Sequence, residues 1–349
     1  MDMTDILNRY HDKFKSHYGK RISSQQSKAM NAVLDCRSAR YGSMALECSA
    51  CDFHTLKYHA CGNRACHRCQ NYDTTKWLER QSQKLLPVEY FMVTFTLPSE
   101  LRSLAWYHQK TFYGYLLQCA RSTLSTFARN DKELGGSIGM TMVLHTHSRR
   151  LDYHPHVHVI VPGVCVNKRR KQCARKRGKY LFNEFALAKV FRARFLEAML
   201  DGGFKVPENN PTKWVTDCRH VGKGLPALQY LSRYLYRGVI SDKDILADDG
   251  EQVTFGYIDS KTNTYKTRTV KGEVFLWLVY QHVLPKGFRR VRDYGFLNGN
   301  GKTILQSIQV ALRFLVEKIP PKPRPTYLCK VCGAALHITA FIRPAWRSG

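Results

Sequence analysis

The alternation of apolar and polar residues in the middle of the chain predicts an ordered series of strands and helices. Residues 88–98 (VEYFMVTFTLP) are rich in β-branched and aromatic residues and end at a proline, which is typical of a strand. Apolar residues recur at helical spacing over about 100–130. Two strands, 137–148 and 154–163, follow with a short polar connection. Beyond them the pattern predicts a helix at about 183–201, a strand at 213–220 and a helix at about 224–237.

This order, β-α-β-β-α-β-α, predicts an α+β fold. The arrangement that fits it is a central antiparallel sheet of the split βαβ type, ferredoxin-like or RRM-like, with helices on one face. The other face of the sheet would stay open for a substrate. Two short helices precede this region, and Ser23 or Ser24 is a suitable N-cap for the second.

The charge balance points to a polyanionic partner. Lys and Arg number 55 against 27 Asp and Glu, which gives a net charge of +28. Nucleic acid is the expected partner, and an anionic membrane surface is the weaker alternative. No run reaches the roughly 18 apolar residues of a membrane span, and the first residues lack the apolar core of a signal peptide. We therefore expect no membrane association and a cytoplasmic, nucleoid-associated protein.

Positive charge is concentrated in an insert at 167–180 that contains no acidic residue. A solvated loop is the alternative, but beside this net charge DNA contact is the favoured interpretation. The predicted contacts in this insert are Lys168, Arg169, Arg170, Lys171, Arg175, Lys176 and Arg177.

Twelve cysteines in a reducing compartment suggest thiols or metal ligands rather than disulfides. The pairs Cys48, Cys51 and Cys66, Cys69 form C-x2-C-x14-C-x2-C, a spacing typical of structural zinc. We predict that these four hold one zinc ion. Alternative ligands or a second ion are left open by Cys36, Cys61, His54 and His59. Near the C-terminus, Cys329 and Cys332 form half a site with His337 nearby.

Histidines occupy every second position of the strand HPHVHVIVPG, so His154, His156 and His158 share one face. His156 and His158 can together chelate one divalent ion. His145, on the adjacent predicted strand, is close enough across a hairpin to supply a third ligand. The competitors for that role are His147, Asp152 and His154. With three protein ligands, magnesium or manganese would keep open positions for phosphate oxygens and water.

A second group of candidate residues lies in ALQYLSRYLYRGVI. Tyr230 and Tyr234 are one helical turn apart, so their hydroxyls project from one face; the alternative is a pair of core aromatics. Arg233 and Arg237 form a parallel pair suited to phosphate. Together with a bound cation, tyrosine nucleophiles suggest phosphoryl transfer, which would give a covalent 5′-phosphotyrosine and a free 3′-hydroxyl.

Three stretches carry a resemblance to a known family: HPHVHVIVPG, YLSRYLYRGVI and the upstream CGNRACHRCQ. They resemble the HUH-type two-tyrosine rolling-circle transposases of bacterial insertion sequences. The resemblance implies an HUH endonuclease fold and a single-stranded DNA endonuclease and strand transferase, with His156 and His158 as metal ligands and Tyr230 and Tyr234 as nucleophiles. It also implies transposon ends and target DNA as partners, with host replication factors such as a helicase.

On this basis we divide the chain into five segments. They are an N-terminal helical segment (1–35), a zinc-binding module with a connecting helix (36–86), an HUH nuclease domain (87–238), a C-terminal α/β DNA-binding extension (239–318) and a Pro-rich linker with a C-x2-C tail (319–349). Alternative functions are a plasmid replication initiator or relaxase of the same chemistry and a non-catalytic zinc-containing DNA-binding regulator. The sequence GNGKT at 299–303 lacks the glycine spacing of a phosphate-binding loop, and we expect a turn there.

Overall fold

The computed structural model describes residues 2–167, 172–224, 239–259, 262–314 and 326–344. The chain forms two compact units, each made of segments that are separate in sequence. The central unit comprises Thr74–Leu235 and Leu284–Glu317. The terminal unit comprises Met1–Asp73, Tyr236–Val283 and Lys318–Gly349.

The helices and strands of the described residues are numbered here in chain order. The helices are α1 (Met3–Tyr18), α2 (Ser24–Leu34), α3 (Gln70–Ser82), α4 (Arg102–Tyr107), α5 (Gln109–Asn130), α6 (Glu184–Asp201), α7 (Gly272–Tyr280) and α8 (Lys302–Ala311). The strands are β1 (Ser43–Cys48), β2 (His54–Tyr58), β3 (Glu89–Thr96), β4 (Ser137–Ile138), β5 (Met140–His147), β6 (Tyr153–Pro162), β7 (Val164–Asn167), β8 (Gln172–Arg175), β9 (Thr216–Lys223), β10 (Ile245–Asp248), β11 (Gln252–Ile258), β12 (Tyr265–Lys271), β13 (Val291–Tyr294), β14 (Tyr327–Leu328) and β15 (Ala335–Ile342).

A five-stranded sheet in the order β13-β5-β6-β3-β9 forms the middle of the central unit. All of its neighbouring strands pair antiparallel. Among the four predicted strands, the first and third (β3 and β6) are at the centre and the second and fourth (β5 and β9) flank them. This is the split βαβ arrangement, so the predicted α+β fold class is confirmed.

Alternate residues of the central strands are apolar, so they share one face of the sheet, and α5 and α6 pack on that face. Val93 and Phe95 on β3, and Val157 on β6, are fully buried in the same core as residues of α5 and α6. The rings of Phe95 and Phe191 have centroids 4.7 Å apart. The residues between these apolar positions, which include the histidines of β6, therefore lie on the opposite face.

The terminal unit holds two smaller sheets and a helical cluster. The sheets have the orders β14-β15-β1-β2 and β10-β11-β12. Helix α1 packs with α7, where Tyr18 stacks on Trp277 with ring centroids 4.8 Å apart. Ser23 is the N-cap of α2, and its side chain accepts from the backbone N–H of Gln26 in a capping box, so one of the two predicted N-caps is confirmed.

Several predicted boundaries differ from those of the structure. The helix predicted over 100–130 is broken at His108, which separates α4 from α5. The strand predicted at 213–220 lies at Thr216–Lys223. The segment predicted as one extension, 239–318, is shared between the two units, because β13 adds an edge strand to the central sheet. The helix predicted over about 224–237 lies outside the described residues.

Candidate functional site

Three histidines converge on the face of the central sheet opposite the core that α5 and α6 cover. His156 and His158 alternate along β6, and His145 on β5 is the cross-strand partner of His156. One ring nitrogen from each lies within 4.8 Å of the others. The ring centroids of His145 and His158 are 4.7 Å apart, and those of His156 and His158 are 4.8 Å apart. The structure thus brings together the three residues that the sequence singled out.

Hydrogen bonds orient two of these rings. The Nδ1 of His156 donates to the backbone carbonyl of His154 at 2.7 Å. The Nδ1 of His158 lies 2.9 Å from the hydroxyl of Thr94, on the neighbouring strand β3. A ring nitrogen held in this way fixes the tautomer and leaves the other nitrogen as the electron-pair donor. A carbonyl can only accept, so Nδ1 of His156 carries the proton and its Nε2 is left for a ligand, whereas the Thr94 hydroxyl, which can donate or accept, positions the ring of His158.

Burial keeps these imidazoles neutral. It lowers the pKa of His156 to about 4, where the backbone hydrogen bond to His154 opposes the shift. Burial, reinforced by the neighbouring histidines, lowers the pKa of His145 well below its ordinary value. The pKa of His158 is also lowered by burial and by His156. Neutral imidazole is the form that binds a metal, so the site is ready for a cation at neutral pH.

The competing candidates for third ligand are placed differently. Arg102 approaches the Nδ1 of His154 at 2.6 Å, and Asp152 lies 3.8 Å from Arg150. The ring of His147 is parallel to that of His145, with centroids 5.9 Å apart. None of the three competitors belongs to the group of ligand atoms formed by His145, His156 and His158.

Sequence reasoning did not identify Thr94 or Arg102 as parts of this site. Thr94 could have been found from the alternation in β3, since it lies between Val93 and Phe95 and so shares the face of the histidines. Arg102 begins α4, and no sequence pattern indicated that its guanidinium would reach His154.

The other predicted DNA-processing residues are only partly within the described chain. Tyr230, Arg233, Tyr234 and Arg237 lie outside the described residues, as do Lys168, Arg169, Arg170 and Lys171. Arg175 and Arg177 are exposed and remain available for a phosphate contact.

Lys176 does not fit the predicted DNA contact. Its side chain is only 8% exposed, and its ammonium lies 2.7 Å from Asp131 and 2.9 Å from a carboxylate oxygen of Glu133. These two carboxylates raise the pKa of Lys176 against the opposing effect of burial. The two carboxylates neutralise the charge of this ammonium, so the prediction that Lys176 contacts DNA is wrong. Lys176 instead forms ion pairs between the insert and the loop after α5.

The predicted zinc quartet is also corrected, because the structure divides it between two groups. Cys66 and Cys69 lie with Cys36 and Cys61, whereas Cys48 and Cys51 lie with Cys329 and Cys332. Within each group the sulfur atoms are within 4.8 Å of one another. The two C-x2-C pairs are close in sequence but belong to different groups. Cys36 and Cys61 complete the group of Cys66 and Cys69, and Cys329 and Cys332 complete that of Cys48 and Cys51. His54, His59 and His337 are in neither group.

The group of Cys36, Cys61, Cys66 and Cys69 has the geometry of a closed metal site. The Sγ of Cys69 is 3.6 Å from those of Cys36 and Cys61. Sulfur atoms bound to zinc at about 2.3 Å in a tetrahedron lie about 3.8 Å apart. Cys36 and Cys66 are buried, and hydrogen bonding from Cys61 lowers the pKa of Cys66 to about 5. One thiolate is therefore already favoured in this group.

Comparison with known proteins identifies the family. A family profile described as "Putative transposase" (type Y2) matches residues 139–303, and one described as "Transposase zinc-binding domain" (type IS91) matches residues 6–97. The chain is 30% identical over 319 residues to "Putative transposase y4qJ" of Sinorhizobium fredii, covering 85% of this chain and 80% of the relative. It is 27% identical over 341 residues to the transposase for insertion sequence element IS801 of Pseudomonas savastanoi pv. phaseolicola, covering 89% and 82%.

The chain belongs to the rolling-circle insertion-sequence transposases of the HUH type, and it carries the zinc-binding domain of that family. As a member of this family it is a nucleic-acid endonuclease and strand transferase. The expected family resemblance is confirmed, and transposition takes precedence over the replication-initiator and regulator alternatives.

Solved structures with partial similarity are conjugative relaxases. One is TrwC complexed with a 27-mer DNA, at 13% identity and a TM-score of 0.29, covering 65% of this chain and 75% of that one. Another is a metal-bound TrwC structure with oriT DNA, at 14% identity and a TM-score of 0.29, covering 66% and 74%. The family assignment rests on the sequence relatives. Within the part of the chain that the structure describes, no helix is both long and apolar enough to cross a membrane.

Proposed function

We propose that this transposase cuts and rejoins single-stranded DNA at the ends of its insertion element, using tyrosine nucleophiles beside a divalent cation held by His145, His156 and His158. The observation that supports it most is the convergence of these three neutral imidazoles on one face of the central sheet, with one ring nitrogen of each within 4.8 Å of the others. Buried titratable groups with shifted pKa values are typical of functional sites, and one cation could take a nitrogen ligand from each of the three histidines.

The donor set fits one divalent ion. Three neighbouring ring nitrogens on two adjacent strands would supply the protein ligands of such an ion, and three ligands would leave it able to bind DNA oxygens and water. Magnesium and manganese are the candidates. Imidazole is a softer donor than the oxygen ligands magnesium prefers, so the all-histidine set favours manganese of the two. Held by His145, His156 and His158, such an ion would supply Lewis acidity at the scissile phosphate.

Tyr230 and Tyr234 are the nucleophiles in this proposal. The phenol oxygen attacks the phosphorus and forms a new P–O bond while the bond from phosphorus to the 3′ oxygen breaks. The phenol proton passes to water, and the departing 3′ oxygen takes a proton from water. The products are a 5′-phosphotyrosine and a 3′-hydroxyl, and attack of a 3′-hydroxyl on the phosphotyrosine reverses the step and rejoins the strand.

Positive charge would hold the DNA over this face. Exposed Arg175 and Arg177, with Lys168, Arg169, Arg170 and Lys171, would follow the phosphates, and Arg233 and Arg237 would hold the scissile region. Host replication factors, including a helicase, would supply the displaced strand.

The group of Cys36, Cys61, Cys66 and Cys69 would hold the structural zinc of the family's zinc-binding domain. Four thiolates close the coordination of such an ion, so zinc would stabilise the fold of this region without entering the reaction.

The test incubates full-length protein with labelled single-stranded oligonucleotides from the element's ends, with manganese, with magnesium or with a chelator. We expect a covalent protein–DNA adduct that survives denaturing gels and forms only with the metal. The double change Tyr230→Phe with Tyr234→Phe should abolish it, while Tyr236→Phe, the matched control on the same segment, should keep it.

Two outcomes would contradict the proposal. Adduct formation by the double variant at the parental rate would show that another residue is the nucleophile. Metal-independent DNA binding with no adduct under any condition would show that this chain binds DNA without cutting it.

A further inference from the structure

The terminal unit contains a second group of four cysteines whose members come from both ends of the chain. Cys48 and Cys51 lie at the turn between β1 and β2, and Cys329 and Cys332 lie between β14 and β15. Strand β15 pairs antiparallel with β1 from Ser43 to Cys48, which brings the two turns to the same end of one four-stranded sheet. Cys51 and Cys329 are 278 positions apart in sequence, with Sγ atoms separated by 3.8 Å.

The spacing of these sulfur atoms is that of ligands on one ion. The Sγ of Cys332 is 3.4 Å from that of Cys48 and 3.6 Å from that of Cys51. Tetrahedral thiolates about 2.3 Å from zinc lie about 3.8 Å apart, whereas bonded disulfide sulfurs are only about 2.05 Å apart. These distances match zinc ligands and exclude disulfide bonds within the group.

Each turn also has the backbone of a zinc knuckle. The N–H of Ala50 donates to the Sγ of Cys48 at 3.4 Å, and the N–H of Val331 donates to the Sγ of Cys329 at 3.3 Å. A backbone N–H directed at the sulfur two residues earlier stabilises a negative charge on that sulfur. The two turns thus share one N–H···S geometry, although they come from opposite ends of the chain.

The hydrophobic core beneath these turns is very small. Its buried members are Leu46, Cys329 and Leu336, with Met44 and Phe53 partly buried against them. The outward residues of β15 include Ile338 and Phe341, which are 48% and 71% exposed and add little to this core. A β-structure with so few buried side chains needs a cross-link or a metal to be stable.

We propose that Cys48, Cys51, Cys329 and Cys332 bind a second zinc ion, which fastens the C-terminal hairpin of the chain to its N-terminal sheet. The family's zinc-binding profile ends at residue 97, so it covers only half of this ligand set. The ion would be structural, since four thiolates leave no open position for a substrate. It would also make the stability of the N-terminal sheet depend on a segment from the other end of the chain.

Zinc content measured by mass spectrometry on purified full-length protein tests this proposal. The parent should contain two zinc ions per chain, and Cys329→Ser with Cys332→Ser should contain one. The matched control, Cys173→Ser with Cys218→Ser, removes two half-buried thiols from the central unit and should keep both ions. An unchanged zinc content in the Cys329, Cys332 variant would overturn the proposal.

Combining changes distinguishes the two metal sites and the earlier single-quartet prediction. Cys48→Ser added to Cys329→Ser should cost no further zinc, because both belong to one site, whereas Cys48→Ser with Cys36→Ser should lose both ions. If Cys48 and Cys51 shared one site with Cys66 and Cys69, the parent would hold one ion and the C-terminal changes would not affect it. Cobalt substitution gives a second readout: Cys332→His should keep a tetrahedral cobalt spectrum with shifted bands, and bands identical to those of the parent would overturn Cys332 as a ligand.

The outcome does not depend on the reaction chemistry. Zinc content reports on the cysteines whether or not Tyr230 and Tyr234 form an adduct, so this proposal can fail while the proposed function holds, and the reverse.

Discussion

His145 on β5 lies directly opposite His156 on β6, and their ring centroids are 5.3 Å apart. Directly opposed residues of an antiparallel pair have adjacent side chains, so a metal ion can bridge the two strands. His158, two residues along β6, completes the group. The three imidazoles thus lie on paired strands, whose backbone hydrogen bonds hold them in place without a flexible loop.

Replacing one of these ligands should weaken both metal binding and DNA cleavage. Loss of a residue that only orients a metal ligand lowers metal affinity or activity about 10- to 100-fold. Loss of a ligand itself should cost more, so we expect His156→Ala or His145→Ala to lower both manganese affinity and the cleavage rate about 100-fold or more. Isothermal titration with manganese and the rate of adduct formation measure the two effects. His54→Ala changes an exposed histidine of the terminal unit and serves as the control. Parental manganese affinity in both site variants would show that the ion binds elsewhere.

Thr94 should act as a positioning residue for His158. Its hydroxyl lies 2.9 Å from Nδ1 of His158, and Thr94→Val removes that bond with little change of shape. We expect manganese affinity to fall about 10- to 100-fold, with cleavage partly restored at high manganese concentration. Thr141→Val is the matched control, because it removes a hydroxyl bonded to Asp293 at 2.7 Å in the same sheet. Equal losses of metal affinity in the two variants would point to a general loss of fold.

Local patterns predicted much of this molecule, because they depend on residues close in sequence. Alternation along β3 and β6 predicted which face packs on helices, and the same alternation placed His156 and His158 on the other face. His145 was also found, because a short hairpin fixes which residues of β5 and β6 face each other.

The cysteine pairing could not be predicted from spacing alone. Cys51 and Cys66 are near in sequence, and nothing local indicates that their half-sites separate. The partners of Cys48 and Cys51 come from a hairpin about 278 positions further along the chain. Only the complete fold brings that hairpin close to them, so local sequence patterns cannot predict the pairing. Cys36, Cys61, Cys329 and Cys332 were visible as unmatched thiols, and combining them with the two C-x2-C pairs would have given two complete quartets.

The charge of Lys176 was misjudged for a related reason. Its run of basic neighbours suggested a DNA contact, but Asp131 and Glu133, about 45 positions earlier, enclose its ammonium. A run of like charges in sequence gives no information on acids brought close by the fold.

Lys176→Met should therefore destabilise the protein and leave DNA affinity nearly unchanged. Removing one partner of a buried ion pair lowers the free energy of unfolding by about 3–5 kcal/mol. Glu133 is 41% exposed, and solvent screens its interaction with Lys176, so we expect a loss of about 1–3 kcal/mol here. Denaturant unfolding measures that loss. Arg175→Met is the matched control: its exposed side chain should give little change in stability but weaken binding to single strands and reduce the salt slope by about 0.7. Reversed effects of the two variants would contradict the assignment of Lys176.

The same ion pair has a pH dependence with a definite sign. Hydrogen bonding from Lys176 lowers the pKa of Asp131 below its ordinary value of 3.8, against the opposing effect of burial. A carboxyl with a lowered pKa stabilises the fold above pH 3.8, and the contribution is lost as the pH falls through the lowered value. The difference in unfolding free energy between the parent and Lys176→Met should accordingly shrink below about pH 4. A difference that stays constant from pH 7 to pH 3 would show that the pair adds no electrostatic stability.

Gly295 should be a structural requirement of the segment that follows β13. Its φ is +61°, and a Cβ added there would overlap the carbonyl of Ile138, with the carbonyl carbon at 2.9 Å. Gly295→Ala should therefore cost about 1–3 kcal/mol from the left-handed backbone alone, and more from the overlap. Gly299→Ala is the matched control, because nothing lies within 4 Å of its added Cβ. Thermal unfolding separates the two. A parental melting temperature in Gly295→Ala would show that this turn relaxes without cost. Gly299→Ala also tests the expectation that GNGKT is only a turn: if the parent bound nucleotide and this variant did not, GNGKT would be a phosphate-binding loop.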